Sequence, residues 1–202
     1  MSMEYIETAI ALIIAYLVGS LSSAIIVCKL LRLPDPRTQG SNNPGATNVL
    51  RIGGKKAALI TLFGDVMKGT IPVLLATWYE LSAISIAFVA CAAFMGHLFP
   101  IFFRFQGGKG VATALGCLLA LSSLAGLAWM GTWFIVAIIF RYASLSSLVA
   151  SVLAPLYIWF FSGEIMYTIA VSFMSILLIY RHHRNIANLL LGKENKIGAK
   201  NK

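Results

Sequence analysis

Ser41, Asn43, Thr47, Asn48 and Arg51 stand close together on a stretch that also carries Gly40, Pro44 and Gly45 and no acidic residue. Hydroxyls, carboxamides and a guanidinium on a glycine-punctuated loop are donors suited to an anion. Glycine lets the backbone approach a ligand closely, and successive N–H groups in such turns form concave anion sites. The same composition also suits a plain turn. A second stretch, Gly107-Gly108-Lys109-Gly110-Val111-Ala112-Thr113, sets three glycines and a lysine at the start of an apolar run. Free N–H groups and the helix dipole favour an anion there, and lysine adds a full charge. It is not a Walker A loop, which needs Ser or Thr directly after Gly-Lys. Its alternative reading is a tight inter-helix turn with an interfacial lysine. In Tyr180-Arg181-His182-His183-Arg184-Asn185-Ile186, His182 and Asn185 are spaced i,i+3 and can share a helix face. That segment reads as a phosphate or polyol contact, or as basic residues closing a cytoplasmic helix end. Arg141 with Ser144 and Ser147 makes a smaller fourth cluster.

The acidic residues exclude several chemistries. Asp35 and Asp65 are the only aspartates, and the glutamates are scattered. There is no carboxylate cage for Mg²⁺ and no carboxylate pair for acid–base work. None of His97, His182 or His183 has an aspartate four or five positions on. We expect no metal and no cofactor. Glu194, in Gly192-Lys193-Glu194, reads as a brace for the tail against neighbouring basic residues.

The elements that position these groups follow from hydropathy. Of the 202 residues, 59% are hydrophobic and 11% charged, with a mean hydropathy of +0.84. Soluble domains carry roughly 25% charged residues. The chain reads as one integral-membrane domain over 1–202, with a basic tail from about 181. The net charge of +9 sits in short loops beside apolar runs. That placement fits topology and anionic headgroups rather than nucleic acid. Cys28, Cys91 and Cys117 fall within apolar runs and read as small core residues. The N-terminus lacks a signal-peptide pattern.

Apolar runs cover 9–31, 57–78, 81–103, 111–121, 123–140, 145–161 and 165–180. A spanning helix needs about 20 residues. The fourth run reaches only about 16 Å at about 1.5 Å per residue. It either borrows residues from the preceding loop or forms one arm of a re-entrant pair; the alternative is a single helix over 111–140. A break at Ser122-Ser123 puts all 16 Lys and Arg residues on the side of the Gly40 loop. A single long helix would move Arg141 and the basic tail to the other side, against the positive-inside bias. The expected fold is an all-α polytopic membrane bundle of seven helical segments, one short or re-entrant. Its N-terminus lies outside and its C-terminus in the cytoplasm, with the four polar clusters near the cytoplasmic headgroups. Asp65 and Lys68, at i,i+3, read as a mutually neutralising pair or as an intramembrane functional pair. Gly19, Ser20, Ser22 and Ser23 make a small-residue patch suited to tight helix packing.

These motifs together resemble the PlsY family of membrane acyl-phosphate:glycerol-3-phosphate acyltransferases. The resemblance is carried by 40–51, 107–113 and 180–186 with Gly192-Lys193-Glu194. Supporting matches are Gly19-Ser20, Asp65 with Lys68-Gly69, Gly96-His97 ahead of Pro100, and Arg141-Tyr142 with Ser144 and Ser147. Asn42 replaces a usual glycine, Pro44 stands at a variable position, and Arg184 occupies a place where the family often has glutamate. The resemblance implies transfer of a fatty acyl group from acyl phosphate to the 1-hydroxyl of glycerol 3-phosphate, giving lysophosphatidate. It implies a multi-pass protein of the bacterial plasma (inner) membrane with a cytoplasmic active site, membrane lipids around it, and the acyl-phosphate-producing enzyme PlsX as a partner. Ser41, Asn43, Thr47 and Asn48, with the backbones of Gly40, Gly45, Gly107, Gly108 and Gly110, would hold the acyl phosphate. Arg51, Lys109, Ser147, His182 and Asn185 would bind and orient glycerol 3-phosphate, with Thr113, Arg141 and Ser144 lining the site. His182 is expected to act chiefly as a hydrogen-bond donor. A transporter would place its polar groups near the bilayer midplane, often within internal repeats; here they gather at one face.

Overall fold

The computed structural model describes residues 3–198. Lys200 and Lys202, two of the basic residues assigned to the inner side, lie outside the described residues. Within them the fold is all-helical: α1 (Met3–Gly19), α2 (Ser23–Leu30), α3 (Ala46–Trp78), α4 (Ala83–Leu98), a 3-10 turn (Ile101–Phe103), α5 (Val111–Leu121), α6 (Ser123–Phe140), α7 (Ala143–Ser162), α8 (Ile165–Arg181) and α9 (His183–Leu190). By length and composition four helical stretches can cross a membrane, namely α3, α4 with its 3-10 extension, α6 and α7. The total reaches six if the bent pairs α1/α2 and α8/α9 each form one span.

The expected segments appear with three differences. The first apolar run is broken: α1 and α2 meet at 43°. The second helix begins at Ala46, so Asn48 and Arg51 are helical rather than loop residues. Gly54, at φ 76°, interrupts α3 one turn later. Finally, α9 is a helix in its own right, bent 57° from α8.

The break expected at Ser122 is present. Ser122 is extended (φ −158°), and its Oγ accepts a bond from the Ala125 N–H at 3.4 Å, capping α6. A Cβ on Gly126 would stand 2.8 Å from the Leu119 Cα. In one continuous helix those residues would lie about 10 Å apart, so α6 folds back on α5. On its other side α5 meets α3 and α4. Thr70 Oγ1 donates to the Gly116 carbonyl at 3.1 Å, and Cys117 is buried between them. One apolar cluster, including Val73, Phe94, Leu98, Met174 and Leu178, ties α3, α4 and α8 together. A second, with Leu118, Trp129, Ile158 and Val171, ties α5 to α8. A third, with Val27, Cys28, Val49 and Ala57, lies under the start of α3. The short α5 is thus walled in, and its N-terminal glycine loop is held on a rigid frame.

Candidate active site

The loop before α5 is shaped by backbone contact. A Cβ on Gly107 would stand 2.1 Å from the His97 carbonyl oxygen and 2.3 Å from that of Leu98. Only glycine fits there. The Gly108 N–H donates to the His97 carbonyl at 3.2 Å. Arg181, at the end of α8, takes the outward carbonyls: its guanidinium donates to Gly107 O at 2.8 Å and to Gly108 O at 3.0 and 3.2 Å. Gly110 turns the chain into α5 at φ 88°.

Lys109 leaves this loop and donates to Asn185 Oδ1 on α9. Asn185 Nδ2 donates to Glu194 Oε1 at 2.8 Å, and Ser144 Oγ donates to the same oxygen at 2.8 Å. One carboxylate therefore joins the second, third and fourth clusters. The brace expected of Glu194 exists, but its partners are neutral amide and hydroxyl donors rather than the tail's basic residues. Burial pulls the Lys109 ammonium down to about 8. Glu194 works to raise it, and the charges of Arg51 and Arg181 work to lower it.

His182 follows the end of α8 and is buried. Its Nδ1 lies 2.8 Å from the Leu178 carbonyl. A carbonyl only accepts, so a neutral ring carries its hydrogen on Nδ1 and presents a lone pair at Nε2. Burial, and then the Lys109 charge, hold the imidazole down to about 4, so the ring is neutral. In that state the ring offers an acceptor at Nε2, where a donor was expected.

Ser147 Oγ donates to the Ala143 carbonyl at 2.8 Å and accepts from Trp133 Nε1 at 3.0 Å. Trp133 was not singled out from the sequence, where an indole in an apolar run reads as packing. Arg141 is exposed and reaches the tail instead: its Nη2 donates to the Ile197 carbonyl at 3.2 Å. Thr113 is fully buried in α5, with no hydrogen-bond partner for its hydroxyl among the described residues.

The Gly40 loop is closed by Asn48. Its Oδ1 accepts from the Ser41 N–H at 2.9 Å, and its Nδ2 donates to Pro36 O at 2.8 Å and Gln39 O at 2.9 Å. Both amide hydrogens are committed, which leaves none for an anion. Asn48 therefore shapes the loop, where the sequence reading had it holding the ligand. Gly40 (φ 63°) makes the turn. Ser41 and Thr47 are exposed, with Asn43 and Gly45 half-buried between them. The loop meets the glycine loop at Pro44, whose carbonyl lies 3.0 Å from the position of a Gly108 Cβ. An open cavity of about 570 Å³ separates the rest, lined by Arg37, Asn42, Pro44, Gly107, Arg181 and Arg184. Arg37 is already paired with Asp35 at 2.6 Å, and its hydrogen bonds hold that carboxyl below its usual range.

Comparison with known proteins identifies the family. A family model described as glycerol-3-phosphate acyltransferase matches residues 9–192. The glycerol-3-phosphate acyltransferase of Methylococcus capsulatus is 56% identical over 186 residues, covering 92% of this chain and 94% of its own. That of Burkholderia multivorans is 56% identical over 198 residues, covering 97% and 93%. Among solved structures, the crystal structure of PlsY, an integral membrane glycerol 3-phosphate acyltransferase, is similar in its glycerol 3-phosphate form. The TM-score is 0.91 at 37% identity, over 95% of this chain and 96% of that one. Its lysophosphatidic acid form gives a TM-score of 0.88 at 36% identity. The chain belongs to the PlsY family of glycerol-3-phosphate acyltransferases.

Proposed function

We propose that this chain moves a fatty acyl group from an acyl phosphate to the 1-hydroxyl of glycerol 3-phosphate, releasing phosphate and lysophosphatidate. The observation that carries this reading is the Lys109–Asn185–Glu194–Ser144 chain beside the lone pair of His182. It offers a cation for a phosphate and an acceptor for a hydroxyl within one site. The relatives' printed name supplies the acceptor substrate, and the two forms of the solved PlsY name glycerol 3-phosphate and lysophosphatidic acid.

Lys109 and Arg51 bind the phosphate of glycerol 3-phosphate, with Asn185 and Ser147 fixing its orientation. His182 Nε2 accepts a hydrogen bond from the 1-hydroxyl and turns its oxygen toward the acyl carbon. Ser41, Asn43 and Thr47, with the free N–H groups of both glycine loops, receive the acyl phosphate. The hydroxyl oxygen attacks the carbonyl carbon, the bond from that carbon to the phosphate oxygen breaks, and the hydroxyl proton ends on the departing phosphate. A mixed anhydride already has a good leaving group. Positioning and electrostatic stabilisation then supply most of the rate.

The site faces the cytoplasm of a bacterial plasma (inner) membrane, with the N-terminus outside. The support is the one-sided distribution of Lys and Arg. Purified protein given acyl phosphate and glycerol 3-phosphate should form lysophosphatidate, in excess chelator as well as without it. Equal or faster turnover with acyl-CoA would overturn the donor assignment. Labelling of an engineered cysteine at 45 or 195 by an impermeant reagent from outside intact cells would overturn the orientation.

A further inference from the structure

His97 takes no part in the reaction proposed above, yet it sits where three polar systems meet. It lies one residue from the end of α4 and is 6% exposed. Behind its ring is Asp65 of α3, with Oδ1 3.8 Å from Nδ1. Asp65 pairs at 2.9 Å with Lys68, whose ammonium also donates at 2.8 Å to the Leu21 carbonyl, in the break between α1 and α2. In front of the ring is the glycine loop. A Cβ on Gly108 would stand 2.3 Å from His97 Nε2, and the Gly108 N–H donates to the His97 carbonyl. The break between α1 and α2, the middle of α3, the end of α4 and the Lys109 loop are thereby joined in one line.

A buried ion pair inside a helical bundle is not explained by stability. Apolar residues of the same volume commonly pack as well or better, and intramembrane ionisable groups mark functional places. Asp65 and Lys68 are at most 5% exposed and touch no part of the donor set directly. What they do touch is the back of the His97 ring and the turn at Leu21.

We propose that His97 is a positioning residue for the Lys109 loop. Its imidazole, propped from behind by the Asp65–Lys68 pair, is the wall against which Gly108 rests. It therefore fixes where the Lys109 ammonium stands when glycerol 3-phosphate binds. This inference rests on Lys109 being the phosphate ligand.

The test uses full-length enzyme in vesicles, with acyl phosphate saturating and glycerol 3-phosphate varied. His97→Ala should raise KM for glycerol 3-phosphate about tenfold or more while changing kcat much less, since a displaced Lys109 weakens its charge-assisted contact to the ligand's phosphate. His97→Asn, which keeps a polar group and less bulk, should fall between wild type and His97→Ala. Gly108→Ala should lose most activity because its methyl meets the ring. The double variant Gly108→Ala with His97→Ala should recover activity over Gly108→Ala alone, the methyl filling the vacated space. On a Lys109→Ala background, His97→Ala should add little to the rise in KM. Multiplicative effects in that cycle together with no recovery in the Gly108 pair would overturn the inference. A normal KM in Lys109→Ala alone would instead overturn the phosphate reading on which it rests.

Discussion

The two glycine loops differ in how much of their shape is settled before any ligand arrives. Around Gly107–Gly110 three of the four residues are buried, two carbonyls are taken by Arg181, and the lysine is already aimed through Asn185. Around Gly40–Asn48 a single side chain, Asn48, holds the turn, while Ser41, Asn42 and Thr47 stay exposed with uncommitted side chains. Donors fixed in advance need no reorganisation when charge arrives. Exposed side chains pay ordering entropy on binding, yet can adapt to the ligand. Under the proposed reaction, the fixed loop suits the small phosphate held by Lys109, and the adaptable one contributes side chains for the acyl phosphate.

Gly107→Ala should be the most damaging change, because the added methyl meets two main-chain carbonyls that cannot swing away. Activity should fall more than about a hundredfold, as for a backbone displaced by about 1 Å, with the protein still inserted in the membrane. Near-native turnover would remove the claim that this loop is rigidly set. Lys109→Ala comes next. A charge-assisted contact contributes about 1.5–3 kcal/mol, so kcat/KM for glycerol 3-phosphate should drop about ten- to 150-fold. A loss confined to KM for acyl phosphate would exchange the roles of the two loops.

The third effect is a shift with pH. Lys109 loses its proton as pH rises through about 8, so affinity for glycerol 3-phosphate should weaken above that pH. The ligand's phosphate, with a second pKa of about 6, is already fully ionised there and contributes no break. Glu194→Gln removes the charge that holds Lys109 protonated, so the break should move to lower pH. A pH profile of KM that is identical in both proteins would separate Glu194 from Lys109. Ser41→Ala should be mildest. One neutral hydrogen bond contributes about 0.5–1.5 kcal/mol, so the loss stays near or below about tenfold and falls on the acyl phosphate.

Hydropathy and charge made most of the helices legible. The break between α5 and α6 at Ser122 was readable from the short apolar run before it and from the positive-inside bias acting on Arg141 and the tail. The bend between α1 and α2 was not, because a run of small and apolar residues has the same hydropathy whether straight or broken. The α9 helix hid behind its own charges: Arg184 and His183 satisfy a topology rule equally well in a coil. Which residues could bind an anion was readable from type and spacing. What each donor had already spent was not. Asn48 uses both its hydrogens on Pro36 and Gln39, and His182 gives its one hydrogen to Leu178. Those allocations depend on carbonyls that hydropathy cannot place. Trp133 was invisible for the same reason: its ring belongs to the core, and only the direction of its N–H links it to Ser147.

The shortness of α5 sets how far its glycine loop stands from the turn that α5 shares with α6. From the shared turn at Ser122, its 11 residues climb about 16 Å, whereas the 18 residues of α6 climb about 27 Å. Along the helix axes, the backbone of the glycine loop is therefore about 11 Å nearer that turn than Arg141 is. For the reaction proposed above, a Lys109 loop set back from Arg141 would let the water-soluble acceptor enter from the polar side and the acyl chain from between the helices. A single-chain lipid made by that reaction would already have its tail beside the helices, so release would require only sideways diffusion.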